Sequence, residues 1–208
     1  MAMLRGRVLW AFRVFLQDRG LAPRCRVTHT DWDDQTELMA HTARRLDSFQ
    51  SRLSPRAQAA LIEAEVPEWI DAKLCAELVT AFGEIEGMSG VRELGAFAAD
   101  LLVDPASEPD PRRVLVRILD LIGELTHDYE VRFEPLRRVA GRLHLMASGL
   151  SQSEFCAEAW AAAVQAVLRR NCSHAWTLME DVFVTREGST TTILCQWTTA
   201  NDGEARCA

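Results

Sequence analysis

The stretch Val-Ala-Gly-Arg-Leu-His-Leu-Met, residues 139–146, opens the part of the chain that decides the fold. Its second half alternates apolar and polar side chains, which is the period-two pattern of a strand with one buried face. A helix over about Ser151 to Arg170 follows, and a hairpin then pairs Trp176 to Val184 with Thr190 to Trp197. This order predicts a small antiparallel sheet that comprises 139–147, 175–184 and 190–198.

Local signals support the helix and the last strand. Ser151 and Glu154 form an S-x-x-E capping box, in which a hydroxyl and a carboxylate bond exposed backbone amides at a helix start. In the last strand, Ile193, Cys195 and Trp197 alternate with Thr192, Leu194 and Gln196, which is the period-two sign of a half-buried strand. We expect Trp160 of the helix and Trp197 of the strand to be buried in one core between helix and sheet.

The chain before residue 139 has mostly helical patterns. Ser54-Pro55 and Asp110-Pro111 are cap and first-turn pairs, Pro67-Glu68-Trp69 is expected to open a helix, and Gly87 to Gly90 is expected to end it. The predicted class is therefore α+β: a predominantly helical N-terminal two-thirds, followed by a strand–helix–β-hairpin unit. We expect one domain over 1–199 and a frayed tail over 200–208.

Composition and charge narrow the functional class. The 208 residues are 48% hydrophobic and 25% charged, as in ordinary globular domains. The net charge is −7 and the pI is about 5.3, whereas nucleic-acid binders usually carry a basic surface. No apolar run approaches the roughly 20 residues that span a bilayer. These features predict a cytoplasmic protein with no transmembrane segment that binds no nucleic acid.

The first predicted helix, over about Met3 to Leu16, combines apolar residues at helical spacing with Arg5, Arg7 and Arg13. A helix of this kind can lie on a membrane surface. We favour the alternative that it packs on the core, as most amphipathic helices of globular proteins do.

The spacing of cysteines and histidines matches no catalytic or metal motif. The cysteines form no C-x-x-C pair, and we expect Cys75, Cys156 and Cys195 to be buried free thiols. His29 lies close to Asp31, Asp33 and Asp34, but no second histidine follows at ligand spacing, which favours a solvated acidic turn. We therefore predict no catalytic residue, no metal site and no cofactor.

Polar groups are concentrated at residues 126–130, directly after an apolar helix. A histidine beside carboxylates suits acid–base chemistry or pH sensing, so His127, Asp128, Tyr129 and Glu130 are the candidate site of an enzyme. We favour a helix C-cap, in which a cationic His127 meets the negative end of the helix dipole. His144 alternates with Leu143 and Leu145 and is expected to be a packed or surface residue.

Several of these features together resemble a known family. They are Leu-Arg-Gly at 4–6, Trp69 after a proline, Gly-Arg-Leu-His-Leu at 141–145 and the terminal Thr-Ile-Leu-Cys-Gln-Trp at 192–197. The pattern resembles a family of uncharacterised stand-alone myxobacterial proteins of about this length. That family is similar in outline to the haem-NO-binding and vinyl-reductase-type ligand-sensing domains.

The resemblance extends from about Leu4 to Trp197 and implies an α+β fold with a role in sensing or protein interaction. It transfers no site residue. The Tyr-x-Ser-x-Arg motif that holds haem propionates is missing, because Tyr129 continues as Tyr-Glu-Val-Arg-Phe. The cysteine cluster of the vinyl-reductase-type domains is not reproduced either.

We therefore predict a non-enzymatic regulatory or protein-interaction module of a bacterial signalling system, with a pocket for an apolar small molecule between helices and sheet. A protein partner and a homodimer are expected, and the acidic loop Asp104 to Asp110 is expected to meet the partner. Two alternatives stay open. One is a haem-type sensor with His127 or His41 as the ligand, and the other is an enzyme whose 127–130 cluster lines a deep pocket.

Overall fold

Helices precede a mainly C-terminal antiparallel sheet in the computed structural model, which describes residues 2–22, 36–63, 65–103, 110–127, 129–137, 140–147, 153–171, 176–178, 183–187 and 190–199. The helices within these ranges are α1 (Gly6–Asp18), α2 (Thr36–Gln50), α3 (Pro55–Ile62), α4 (Ala72–Leu102), α5 (Pro111–Leu125) and α6 (Glu154–Asn171). The strands are β1 (Met3–Arg5), β2 (Trp69–Asp71), β3 (Thr126–His127), β4 (Tyr129–Arg137), β5 (Ala140–Ala147), β6 (Trp176–Leu178), β7 (Phe183–Glu187) and β8 (Thr190–Thr199). The predicted α+β class is confirmed.

The main sheet has the order β4-β5-β8, with β6 and β7 both paired to β8, and every pairing is antiparallel. The predicted strands 139–147 and 190–198 are found as β5 and β8. The prediction of one strand over 176–184 is wrong, because β6 and β7 are separate strands on β8 whose registers differ by two residues. Residues 179–182 and the predicted tail 200–208 lie outside the described residues.

Strand β4 was not predicted. The helix cap expected at 126–130 is wrong: α5 ends at Leu125, Thr126 enters β3, and β4 starts at Tyr129. The cause is alternation within β4, where Val131 and Phe133 pack against the core while the residues between them are exposed. This alternation outweighs the capping tendency of the preceding polar residues.

A second, three-stranded sheet of order β2-β1-β3 joins the N-terminus to the rest of the fold. The first helix therefore begins at Gly6 and not at Met3, and Trp69 starts a strand and not a helix. The next helix begins after Asp71, whose Oδ1 accepts a hydrogen bond of 3.0 Å from the Lys73 amide. Apolar residues of α1 are buried in the core, which confirms that this helix packs on the protein.

Helix starts follow the predicted caps at two positions. Ser54 and Asp110 both accept hydrogen bonds from first-turn amides of α3 and α5. For α6 the predicted cap was wrong: the helix starts at Glu154, and Ser153 Oγ accepts a bond of 3.2 Å from the Cys156 amide. Ser151 and residues 104–109 of the predicted acidic loop lie outside the described residues.

The predicted break at 87–90 is narrower than expected. Only Gly87 leaves the helical conformation, with φ 71° and ψ −174°, and α4 continues on both sides of it. A positive φ of this size favours glycine because it lacks a Cβ. We infer that α4 is two helical segments joined by a one-residue hinge.

Two clusters of buried side chains form the core. The first joins α1, α3 and most of α4, and the second joins α5, α6 and the inner face of the sheet. Trp197 is 1% exposed in the second cluster, as predicted, whereas Trp160 is only partly buried and packs against both clusters. Within the described residues, no helix is long and apolar enough to cross a membrane.

Candidate functional site

An apolar cavity of about 100 Å³ lies where the two core clusters meet, between α1, α4, α5 and α6. The amphipathic faces of these helices converge there, because each helix directs its apolar stripe inward. The lining consists of Leu4, Val8, Phe12, Cys75, Val79, Gly95, Ala98, Ala99, Leu102, Val103, Ile118, Leu121, Ile122, Leu125, Cys156, Ala159, Trp160, Ala163, Val164 and Val167.

Small residues on α4 and α6 shape this cavity. Gly95 lies so close to α6 that a Cβ there would overlap the carbonyl oxygen of Ala159. The two backbones therefore approach closely at this point, while Ala98, Ala99 and Ala163 leave space beside it. The alanines of α6 allow this helix to pack closely on α4.

The lining offers almost nothing that could bind a charged or polar ligand. Among the described residues that line it there is no carboxylate, no cation and no imidazole, and those with heteroatoms in the side chain are Cys75, Cys156 and Trp160. Burial, with smaller contributions from Cys156 and Asp71, raises the pKa of Cys75 well above the usual thiol range. Cys75 therefore stays a neutral thiol and behaves as a small hydrophobe. An uncharged apolar molecule is the ligand class that such a lining admits.

Cys156 connects the cavity to a polar groove at the surface. Its Sγ accepts a hydrogen bond of 3.2 Å from Ser153 Oγ and donates one of 3.8 Å to the Ala76 carbonyl oxygen. Ser153 Oγ in turn accepts a bond of 2.8 Å from Thr80 Oγ1. These bonds hold the first turn of α6 against α4 and so fix one end of the cavity.

The two members of the 127–130 cluster whose side chains the structure describes, His127 and Glu130, do not converge on a site. The His127 ring is exposed and stacks on Trp69, with ring centroids 3.8 Å apart, and the guanidinium carbon of Arg5 lies 4.2 Å from the centroid of the same indole. Glu130 forms a hydrogen bond of 2.6 Å with Arg132 on β4. Neither His127 nor Glu130 lines the apolar cavity. Asp128 and the Tyr129 side chain lie outside the described residues.

The other candidate residues are dispersed. His144 lies on the outer face of the sheet, within 3.2 Å of both Thr192 Oγ1 and Glu134 Oε2, which confirms its position opposite Leu143 and Leu145. His41 lies in α2, but its side chain, like all of the His29–Asp34 segment, is outside the described residues. In the described ranges, no three histidine, cysteine or acidic side chains come together as metal ligands.

Cys75, Cys156 and Cys195 are buried free thiols, as predicted. Burial raises the pKa of Cys195 from 9.0 to about 12. The sequence could not reveal that Cys75 and Cys156 line one cavity, because 80 residues separate them. The only available signal was the shared enrichment of small residues on α4 and α6.

We expect the raised thiol pKa values to make stability fall at alkaline pH. The unfolded Cys195 thiol ionises near pH 9, whereas the folded one retains its proton up to about pH 12, so its contribution is complete below 9 and is lost as pH rises through this interval. The slope should reach about 1.4 kcal/mol per pH unit for each such thiol. Urea unfolding at a series of pH values measures it. In Cys195→Ala the slope should be smaller, and an unchanged slope would contradict the assignment.

The succession of helices and antiparallel sheet, with a cavity between the helices, is a fold similar to that of a solved H-NOX, or haem-NO-binding, protein. A particular solved example is the crystal structure of an Fe(II) unliganded mutant H-NOX protein from K. algicida. The two superpose with a TM-score of 0.56 over 95% of this chain and 98% of that chain, at 8% sequence identity. This likeness concerns the fold alone. No family model matches the chain, and a search of curated proteins also gives no match.

Haem, which this fold class implies, does not fit the described cavity. Pockets for cofactors and drug-sized ligands usually have roughly 300–1,000 Å³, whereas this cavity has about 100 Å³. Haem iron needs an axial ligand such as histidine, thiolate, methionine or tyrosinate. Among the described lining residues only the two thiols qualify by type, and burial keeps Cys75 protonated. No arginine or lysine in the lining could pair with propionates.

Proposed function

We propose that this chain is a non-enzymatic regulatory domain that responds to a small, uncharged, apolar molecule held in its cavity. The observation that carries the proposal is the apolar character of the described residues that line a cavity between four helices. The solved neighbour is described as an unliganded Fe(II) protein. We propose that this chain also binds a ligand, but that it does so without iron.

The position of the cavity explains how a bound ligand could change the conformation of the protein. Its lining includes Val8 and Phe12 from the first core cluster and Ile118 and Val164 from the second. In an empty cavity, the side chains of both clusters lack dispersion contacts on the side that faces the cavity, and a bound ligand supplies these contacts. It therefore favours whichever arrangement of the two clusters encloses it best, which is a population shift between packings.

The segment between α4 and α5 is the proposed output. Both helices line the cavity, and the acidic residues from Asp104 to Asp110 connect them. A change in spacing of the helices would be transmitted to the ends of this connection, where we place contact with a protein partner. Cytoplasmic location and membership of the myxobacterial family belong to the same proposal.

Benzene is a suitable probe, because an apolar cavity of about 150 Å³ in another protein binds it. We expect benzene to raise the thermal unfolding temperature of this protein, since a ligand that binds only the folded state stabilises it. Benzoate, which has the same ring and a charge, should have no effect because burying its carboxylate is unfavourable. Calorimetric titration measures binding directly.

Two alanines that lie two residues apart in α4, and so on opposite faces of this helix, give a matched control. Ala98→Leu places a larger side chain in the cavity and should abolish the benzene effect. Ala96→Leu adds the same bulk outside the cavity, where Ala96 lines a surface groove, and should retain it. Equal benzene stabilisation of both variants would locate binding elsewhere and refute the proposal.

A haem sensor is the second candidate, and the H-NOX fold is the observation that favours it. His127 is unsuited as the ligand because it stacks on Trp69 at the surface, which leaves His41 as the histidine that this candidate requires. Purified protein should show no Soret absorbance after haem is added. Stoichiometric haem that is lost on His41→Ala would favour the sensor and overturn the ligand class proposed above.

A further inference from the structure

The described cavity wall is partly exposed to solvent beside the C-terminal end of α4. Most lining residues are buried, but Leu102 on α4, Leu121 on α5, and Trp160 and Ala163 on α6 are partly exposed. Leu102 lies at the last residue of α4, so α4 covers this end of the cavity only with its terminal turn.

One side chain ties this terminal turn of α4 to α6. Arg170 Nη1 donates hydrogen bonds of 3.0 Å to Asp100 Oδ1 and 3.3 Å to the Asp100 carbonyl oxygen, and Nη2 donates to the carbonyl oxygen of Val103. Carbonyl groups in the last turn of a helix have no partner within the helix, so a guanidinium satisfies them well. We call these three residues the Arg170 clasp.

We expect the Arg170 clasp to open at a moderate cost in free energy. The Nε of Arg170 is buried without a hydrogen-bond partner among the described residues, which lowers the net stability of the closed arrangement. At the other end of the same segment, Gly87 provides a non-helical hinge, and a Cβ there would meet nothing within 4 Å. The segment 88–102 is therefore bounded by a hinge and a clasp.

We propose that small molecules reach the cavity between the C-terminal turn of α4 and α6, and that Arg170 is the positioning residue that controls this passage. Leu102 and Val103 line the cavity from α4, Ala163 and Val167 line it from α6, and the bonds of Arg170 link these two helix ends. The inference rests on the proposed function, since it concerns access to the same cavity.

The test measures the exchange of benzene by NMR, using methyl resonances of the 13C-labelled full chain. Arg170→Ala should raise the association and dissociation rate constants together by about tenfold, because this factor corresponds to about 1.4 kcal/mol, which is near the lower limit of what hydrogen bonds to a charged group contribute. The Kd should not change, because Arg170 does not line the cavity. Arg170→Lys should give a smaller acceleration, since lysine retains the charge but loses the guanidinium geometry.

Two further variants make the test specific. Arg169→Ala removes an exposed arginine one residue away and should exchange benzene at the wild-type rate. Asp100→Asn weakens only the ion pair, should fold even where Arg170→Ala does not, and should also accelerate exchange. Wild-type rates in both Arg170→Ala and Asp100→Asn would overturn the clasp while leaving ligand binding intact. Failure of the wild-type protein to bind benzene would overturn both proposals. A changed Kd that comes from only one of the two rate constants would assign Arg170 a merely structural role, because control of a passage must change both rate constants equally.

Discussion

Replacing Trp197 with alanine is expected to lower the free energy of unfolding by about 3–5 kcal/mol. Trp197 is 1% exposed and is the largest of the fully buried side chains, so its removal leaves a cavity that the sheet and α6 cannot close. Its neighbour Cys195 and the strand residue Ile193 face the same core and would lose contacts. Chemical denaturation followed by circular dichroism measures the change.

Two other tryptophans are internal controls for this result. Trp160→Ala should cost less than Trp197→Ala, because Trp160 is partly exposed and its removal enlarges a cavity that already exists. Trp10 is 46% exposed, so Trp10→Ala should change stability by no more than about 0.5 kcal/mol. A cost below about 1 kcal/mol for Trp197→Ala would mean that the register of β8 is wrong.

Gly95→Ala is expected to destabilise the protein by about 3 kcal/mol, the upper end of the usual range for overpacking. The added Cβ would overlap the carbonyl oxygen of Ala159, which is backbone and cannot rotate away. The overlap can therefore be removed only if α4 and α6 separate, and this separation loses packing along both helices. We expect a lower urea midpoint and a cavity that binds benzene more weakly.

Gly123→Ala is the matched substitution. Gly123 lies in α5, is exposed, and a Cβ there would meet nothing within 4 Å. Alanine should stabilise this helix by about 0.5–1 kcal/mol, because glycine is the weaker helix former. If both alanine variants shifted the midpoint in the same direction, the close approach of α4 and α6 would not be supported.

The sequence was most informative where one local pattern acted alone. The alternation around Leu143 and from Ile193 to Trp197 identified β5 and β8, and the Ser54 and Asp110 caps identified two helix starts. Predictions failed where tertiary pairing outweighed a local signal. Trp69 follows a proline and resembles a helix start, but pairing with Arg5 makes it a strand residue.

The candidate site could not be predicted from the sequence, and the reason is a different one. An apolar cavity has no motif: its residues have the same types as any core residue, and only the distances between helices distinguish a void from packed volume. Gly95 and Ala159 are 64 positions apart, and neither shows alone that two backbones meet there. Polar residues such as His127 attracted functional interpretation because polar chemistry is visible in a sequence and empty space is not.

The exposed margin of β4 restricts how copies of this protein can associate. A free strand edge invites the addition of a strand from another molecule, and natural sheets prevent this with charges, proline and irregular pairing. All three occur on β4, where Glu130, Arg132, Glu134 and Pro135 are exposed and the pairing with β5 shifts between Pro135 and Arg137. We therefore expect no edge-to-edge sheet growth through β4, and we expect the proposed homodimer to use another surface.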